Sequence, residues 1–240
     1  MMDGSRPPHI TYHADMVQGS DDWLAARCGL LTASEMKLIL TPTLKIAANE
    51  KERAQLYELL AQRITKYVEP HYIGDDMMRG QADELEAKSV YHKDVAPVTD
   101  CGFITNNRYG FTLGYSPDWL VGDDGQAECK SRRQKYQVQT IIENVWDDES
   151  KTIPAEYVMQ HQTGLLVTER KWIDFVSYCG GMPMAIIRQY PDPVIQNAII
   201  EASGAFEDRM QKNLGKYMAA LASKARLIPT ERKFYQEIYA

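Results

Sequence analysis

The chain predicts an α/β fold, a central mixed β-sheet flanked by α-helices. Three features carry that expectation. Helical spacing of apolar residues fills 20–91, strand-like runs with turn signals fill 97–130 and 172–190, and an amphipathic stripe follows Asp192. The first dozen residues read as an arm. Ser20 caps a helix to about Arg27, Asp21 and Asp22 suit the positive end of its dipole, and Gly29 stops it. Thr32-Ala33-Ser34-Glu35 is a capping box opening a short helix. Asn49 starts a longer one, with Leu56, Leu59, Leu60, Ile64 and Tyr67 on one face, and another runs from about Asp76 to Tyr91. Val98 to Thr105, Tyr109 to Tyr115, Trp119 to Val121 and Gln126 to Lys130 read as strands, turning at Asn106-Asn107 and Gly122-Asp123-Asp124-Gly125. Helices near 136–146 and 154–168 precede strands at Trp172 to Tyr178 and Met184 to Tyr190. Asp192-Pro193 then opens a long helix with Ile195, Ile199, Ala202, Phe206, Met210, Leu214 and Met218 along one stripe.

The 240 residues contain 44% hydrophobic and 25% charged side chains, an ordinary globular balance that excludes disordered, collagen-like and disulfide-scaffold classes. No repeat, low-complexity tract or long linker divides the chain, so 1–240 is expected to be one domain, with 1–17 as its arm and 192–240 as a C-terminal helical extension. The longest apolar runs are short, and no apolar core follows Met1-Met2-Asp3-Gly4, which points to a cytoplasmic protein without a membrane partner. Cys28, Cys101, Cys129 and Cys179 form no CxxC pair and read as reduced. The net charge of −6 argues against a general polyanion binder but not against a nuclease, whose metal ligands are themselves acidic. No GxxxxGK[ST] is present to drive unwinding with ATP.

The chemistry concentrates in Gly114-Tyr115-Ser116-Pro117-Asp118 and Glu128-Cys129-Lys130. Glu128 and Lys130 share one strand face because side chains alternate with period two. A hairpin turning about Asp123 brings Asp118 opposite Glu128, so two carboxylates converge beside an ammonium group. Two carboxylates and a main-chain carbonyl, that of Cys129, suit a hard cation such as Mg²⁺. Bound Mg²⁺ keeps waters, one of which can become the attacking hydroxide, and a lysine beside it can orient or deprotonate that water. The same spacing also occurs in ordinary charged surface hairpins. Lys130-Ser131-Arg132-Arg133-Gln134-Lys135 places four positive charges in six residues, either along a DNA backbone or as a solvated run. His9 and His13 have i, i+4 spacing but fall in the expected arm and are assigned no site.

Pro117-Asp118…Glu128-Cys129-Lys130 resembles the PD-(D/E)xK nuclease motif. The neighbouring blocks resemble the phage lambda-type exonuclease branch, with its viral alkaline exonucleases and YqaJ-type phage recombinases. Four blocks match in order: Gln18 to Arg27 continuing to Leu31-Thr32-Ala33-Ser34-Glu35; Arg79-Gly80-Gln81-Ala82-Asp83-Glu84 with Ala87 and Tyr91; Ser116 to Lys130; and Tyr157 to Gln162 with Val167-Thr168 and Trp172 to Tyr178.

The resemblance implies a restriction-endonuclease-like core and a Mg²⁺-dependent 5′→3′ exonuclease that acts on 5′-phosphorylated double-stranded DNA ends. It would use two ions, with Mn²⁺ as a substitute, and leave 3′ overhangs for phage recombination. Asp118, Glu128 and the Cys129 carbonyl would hold metal, Lys130 would position water, and Glu84 and Gln160 would complete the centre. Arg27, Ser34 and Ser116 would bind a phosphate, and Met77 matches an apolar wedge that parts the duplex, although a core methionine accounts for it as well. Arg132 and Arg133 would contact DNA. Partners implied are a homotrimeric ring and a phage single-strand annealing protein. Trp119 stands where the family usually has glycine; its ring would stack on a base, narrow the site or mark an altered residue there. His161 is expected to face away from Gln160. Two rival readings stay open: an endonuclease or structure-specific repair nuclease on the same core, and a non-catalytic DNA-end-binding protein.

Overall fold

The computed structural model describes residues 7–70, 74–146 and 152–232. Strand β1 (Ile10–His13) pairs antiparallel with β4 (Phe103–Asn106), from Ile10 opposite Asn106 to His13 opposite Phe103. The expected arm therefore supplies an edge strand. A strand this far from its partner in sequence carries no local signal beyond its apolar residues. Helix α1 (Asp21–Arg27) starts as expected, with the Ser20 hydroxyl accepting from the Trp23 N–H. Gly29, at φ +71°, takes the left-handed turn that ends it. Strand β2 (Leu31–Thr32) leads into a 3-10 turn at Ala33–Glu35 and short helix α2 (Met36–Ile39). The capping box forms, with Thr32 N–H donating to Glu35 Oε2 at 3.0 Å. Helix α3 (Glu50–Thr65) is capped by Asn49, buries Leu56, Leu59 and Leu60, and stops at left-handed Lys66, so Tyr67 lies beyond it.

Helix α4 (Asp75–Asp94) precedes a set of short strands. The expected Val98 to Thr105 strand is two elements, β3 (Val98–Thr99) and β4, broken where Gly102 packs against the main chain of Met16. A Cβ at Gly102 would fall 1.8 Å from the Met16 carbonyl oxygen, which only glycine avoids. Strand β5 is just Leu113–Tyr115, because Gly110 turns the preceding chain at φ +84°. Strands β6 (Trp119–Val121) and β7 (Gly125–Ser131) form the hairpin. Helix α5 (Gln134–Thr140), a π-helical turn at Ile141–Val145 and helix α6 (Ala155–Thr168) cross over to β8 (Trp172–Tyr178), which pairs parallel with β7 as such a long connection allows. Strand β9 (Ala185–Gln189) returns antiparallel. Helix α7 (Pro193–Leu221) starts where expected, with the Asp192 carboxylate accepting from Val194 and Ile195 N–H.

The single sheet expected from sequence is two mixed sheets, of order β1-β4-β5-β2 and β3-β6-β7-β8-β9. The chain leaves the first at Tyr115 and enters the second at Trp119. Helix α6 packs on β4, β5 and β8 and against α2 and α7, and is buried almost throughout from Met159 to Thr168. Ile199, Ala202, Phe206 and Met210 of α7 join that core, so the first half of the expected extension is integral to the fold. No helix among the described residues is long and apolar enough to cross a membrane.

Candidate active site

Hairpin register builds the site. Trp119 opposes Ala127 and Val121 opposes Gly125, and one more step along the ladder sets Asp118 opposite Glu128. Asp118 Oδ2 accepts the Cys129 N–H at 2.5 Å. Glu128, buried on the middle of β7, takes three donors from three elements. Lys130 Nζ donates to Oε1 at 2.8 Å from the same strand face, Gln160 Nε2 donates to Oε1 from α6, and the Tyr115 hydroxyl donates to Oε2 at 2.9 Å from β5. The Lys130 ammonium also lies 5.4 Å from the Tyr157 ring centroid.

The electrostatics follow from burying several like charges together. Burial, then the charges of Glu128 and Glu84, hold Asp118 well above the usual carboxylate range. Burial and Glu128 also raise Glu84, against the pull of Lys88 and Lys130. This places Glu84 of α4 in the electrostatic field of the hairpin. Burial alone would lower Lys130, but Glu128 and Asp118 outweigh it and keep the ammonium protonated. The Tyr115 phenol is pushed far up by burial, Glu128 and Asp118, so it remains a donor.

Three carboxylates, two of them half-buried, share this space with one lysine, a donor set that could hold a divalent cation. Among the described residues no three His, Cys, Asp or Glu side chains form a ready cage. Mg²⁺ does not require one, since it binds through one or two carboxylates and retains water.

The anticipated phosphate binders are linked through two residues that were not singled out. Trp23 Nε1 donates to Ser116 Oγ at 2.9 Å, and the Arg27 guanidinium lies 4.2 Å from the Trp23 ring centroid. Arg27 Nη2 donates to Thr32 Oγ1 at 3.2 Å, which is 3.3 Å from Ser34 Oγ. An indole N–H only donates, so Ser116 accepts from it and keeps its own proton for another acceptor. Burial lowers Arg27 while Glu35 raises it, and a partly desolvated guanidinium is primed for an anion. Trp23 and Thr32 were visible in the first sequence block, but only the fold reveals that they join Arg27 to the two serines.

Two expectations change. Trp119 is fully buried on the far face of the sheet, its ring 5.4 Å from that of Tyr91, and cannot stack on a base. Strand alternation directs Trp119 away from Asp118. The basic run divides as well: Lys130 turns to Glu128, while Arg132 is only 8% exposed, its Nη1 bonded to Tyr157 Oη at 2.7 Å and Glu156 at 3.1 Å. Arg132 is thus packed against α6 with its guanidinium already bonded, and Arg133 and Lys135 are the exposed cations of the run. Met77 falls in the first turn of α4, but its side chain lies outside the described residues. His161 faces away from the carboxylates, against Phe175.

A search of curated protein sequences returns no match. Among solved structures, the chain is similar to an alkaline exonuclease from Laribacter hongkongensis. The TM-score is 0.72 at 27% identity, covering 85% of this chain and 98% of that one. The same exonuclease in complex with dAMP gives 0.71 at 28% identity over the same shares. A phage-related exonuclease from Haemophilus somnus gives 0.56 at 11% identity, covering 78% of this chain and 96% of its own, a likeness of fold alone. Residues 22–171, well over half of the chain and spanning the hairpin, α1, α4 and α6, match the YqaJ-like viral recombinase domain, and the chain belongs to that family.

Proposed function

We propose that the protein is a divalent-metal-dependent exonuclease that digests the 5′-ended strand of linear duplex DNA from 5′-phosphorylated ends, leaving 3′ overhangs for recombination. Its family and its likeness to an alkaline exonuclease make it a DNA nuclease. The observation that carries the finer reading is the Lys130–Glu128 pair with Asp118 and Glu84, both half-buried, in its electrostatic field. Asp118, Glu128 and the Cys129 carbonyl would hold Mg²⁺, or Mn²⁺ in its place, with Glu84 completing a site for two ions. When bound, the metal supplies a Lewis acid that acidifies water and offsets charge on the scissile phosphate.

The chain's own groups do the rest. Lys130 is held protonated by Glu128 and Asp118. From that position its ammonium would orient the attacking water and offset charge building on the scissile phosphate. Gln160 donates to Glu128 Oε1 and from there would contact metal-bound water or the scissile phosphate. Arg27, Ser116 and Ser34 receive the terminal phosphate, with Arg133 along the backbone and Met77 at the point where the strands part.

The same reading brings in a homotrimeric ring and a phage single-strand annealing protein as partners. For a chain of net charge −6, a ring would retain DNA by topology rather than by general attraction.

One assay tests the nuclease reading: linear duplex with 5′-phosphate or 5′-hydroxyl ends, and closed circular duplex, each with Mg²⁺ or EDTA. Digestion should need Mg²⁺, favour phosphorylated ends, release nucleotides from the 5′ side and spare the circle. Cutting of the circle would make it an endonuclease, and no release from any substrate would make it an end-binding protein. Lys130→Ala and Asp118→Asn should each reduce digestion at least ~100-fold while end binding persists. Near-wild-type turnover in either variant refutes these roles.

A further inference from the structure

Glu128 is held asymmetrically. Lys130 and Gln160 both donate to Oε1, whereas Oε2 receives the Tyr115 hydroxyl at 2.9 Å. Lys130 comes from the same strand and Gln160 from α6, but Tyr115 ends β5 in the other sheet and is 1% exposed. A glutamate headgroup rotates softly about its last torsion, and donors on one oxygen alone leave that rotation loosely fixed. A hydroxyl donor on the opposite oxygen, from a rigid ring seated in the core, sets the plane of the carboxylate.

The seat for that ring is Gly164. A Cβ there would stand 2.9 Å from Tyr115 Cζ and 3.1 and 3.2 Å from its two Cε atoms. Gly164 lies four residues after Gln160 and so on the same face of α6, one turn on. One helix face therefore delivers a donor to Oε1 and leaves the space through which a second donor reaches Oε2. Mid-helix glycine costs about 1 kcal/mol against alanine, and this seat is a physical reason for it here.

We propose that Tyr115, seated on Gly164, is a positioning residue that orients the Glu128 carboxylate for divalent-metal binding. This rests on the reading of the centre as a metal-dependent nuclease site. Groups that hydrogen-bond metal ligands commonly govern affinity by about 10–100-fold. Tyr115→Phe keeps the ring and removes only the hydroxyl. In the full-length protein, calorimetric titration with Mn²⁺ should show about tenfold weaker binding. The Mg²⁺ concentration giving half-maximal digestion of linear duplex should rise in parallel, while the rate at saturating Mg²⁺ and the binding of 5′-phosphorylated ends change little. Gly164→Ala, which displaces the ring and keeps the hydroxyl, should weaken Mn²⁺ binding similarly, and the double variant should be no worse than the weaker single one. Unchanged Mn²⁺ affinity in Tyr115→Phe, with only a lower melting temperature, would reduce Tyr115 to a packing role and overturn the inference while leaving the nuclease reading intact. Failure of the unaltered protein to bind Mn²⁺ at all would remove both.

Discussion

His161 follows Gln160 on α6 and is fully buried, its ring centroid 5.7 Å from that of Phe175 and both ring nitrogens without a hydrogen-bond partner among the described residues. Burial, helped by the positive charge of Lys130, lowers it to about 3. The native state thus holds this imidazole neutral, while the unfolded chain takes up a proton below about pH 6.5. The unfolded state then binds more protons, so stability is intact above that pH and is lost as pH falls from about 6.5 toward 3. Between pH 7 and 5.5 this residue alone should cost the native state about 1 kcal/mol. His161→Leu, close in size and without the titrating ring, should remove that part of the acid sensitivity. Urea unfolding of both proteins at the two pH values measures it. An equal loss in the two would mean that His161 gains a partner in solution and is protonated inside the fold.

Among the elements, α7 has the clearest boundary, because its cap is local chemistry. The Asp192 carboxylate accepts from Val194 N–H at 2.8 Å and Ile195 N–H at 3.2 Å, meeting two of the four donors a helix start leaves open. Asp192→Ala should lower the stability to urea by about 1 kcal/mol without altering digestion, and a change below a few tenths would show that water replaces the cap. The caps of α1 and α3 and the capping box at Thr32 were legible for the same reason: each is settled within four residues. The hairpin was legible too, since a Gly-Asp-Asp-Gly turn and the ten-residue gap from Asp118 to Glu128 fix its register. Pairing across long gaps was not. Nothing near Ile10 announces Asn106 as its partner, and nothing near Asp100 announces that the flanking strands enter different sheets. Arg132 reads as one more cation in a basic run because the sequence does not disclose that Tyr157 of α6 covers it. Tyr115 reads only as the strand end that leads into Ser116-Pro117-Asp118, because its partner Glu128 belongs to another sheet.

Across the whole molecule, two assemblies meet at Ser116-Pro117-Asp118. Helix α1 and the turn after β2, beside the four-stranded sheet, carry Arg27 and Ser34, and the five-stranded sheet carries Glu128 and Lys130. A chain of net charge −6 has no general attraction for DNA, so duplex affinity must come from a few placed cations. Each phosphate neutralised contributes about 0.9 to the slope of log affinity against log salt, which makes the slope a count of working cations. Arg133 is exposed and Arg27 is joined to the two serines through Trp23 and Thr32, whereas the Arg132 side chain is 8% exposed and fastened to Glu156 and Tyr157. Arg133→Ala and Arg27→Ala should each flatten the slope by about 1. Arg132→Ala should leave the slope unchanged and lower the melting temperature, because it removes a buried anchor of α6 rather than a phosphate contact. Anisotropy of a 5′-phosphorylated duplex in EDTA, from 50 to 200 mM salt, separates the two kinds of arginine. If Arg132→Ala flattens the slope as much as Arg133→Ala, then Arg132 leaves Tyr157 when DNA arrives, and the basic run acts as one surface.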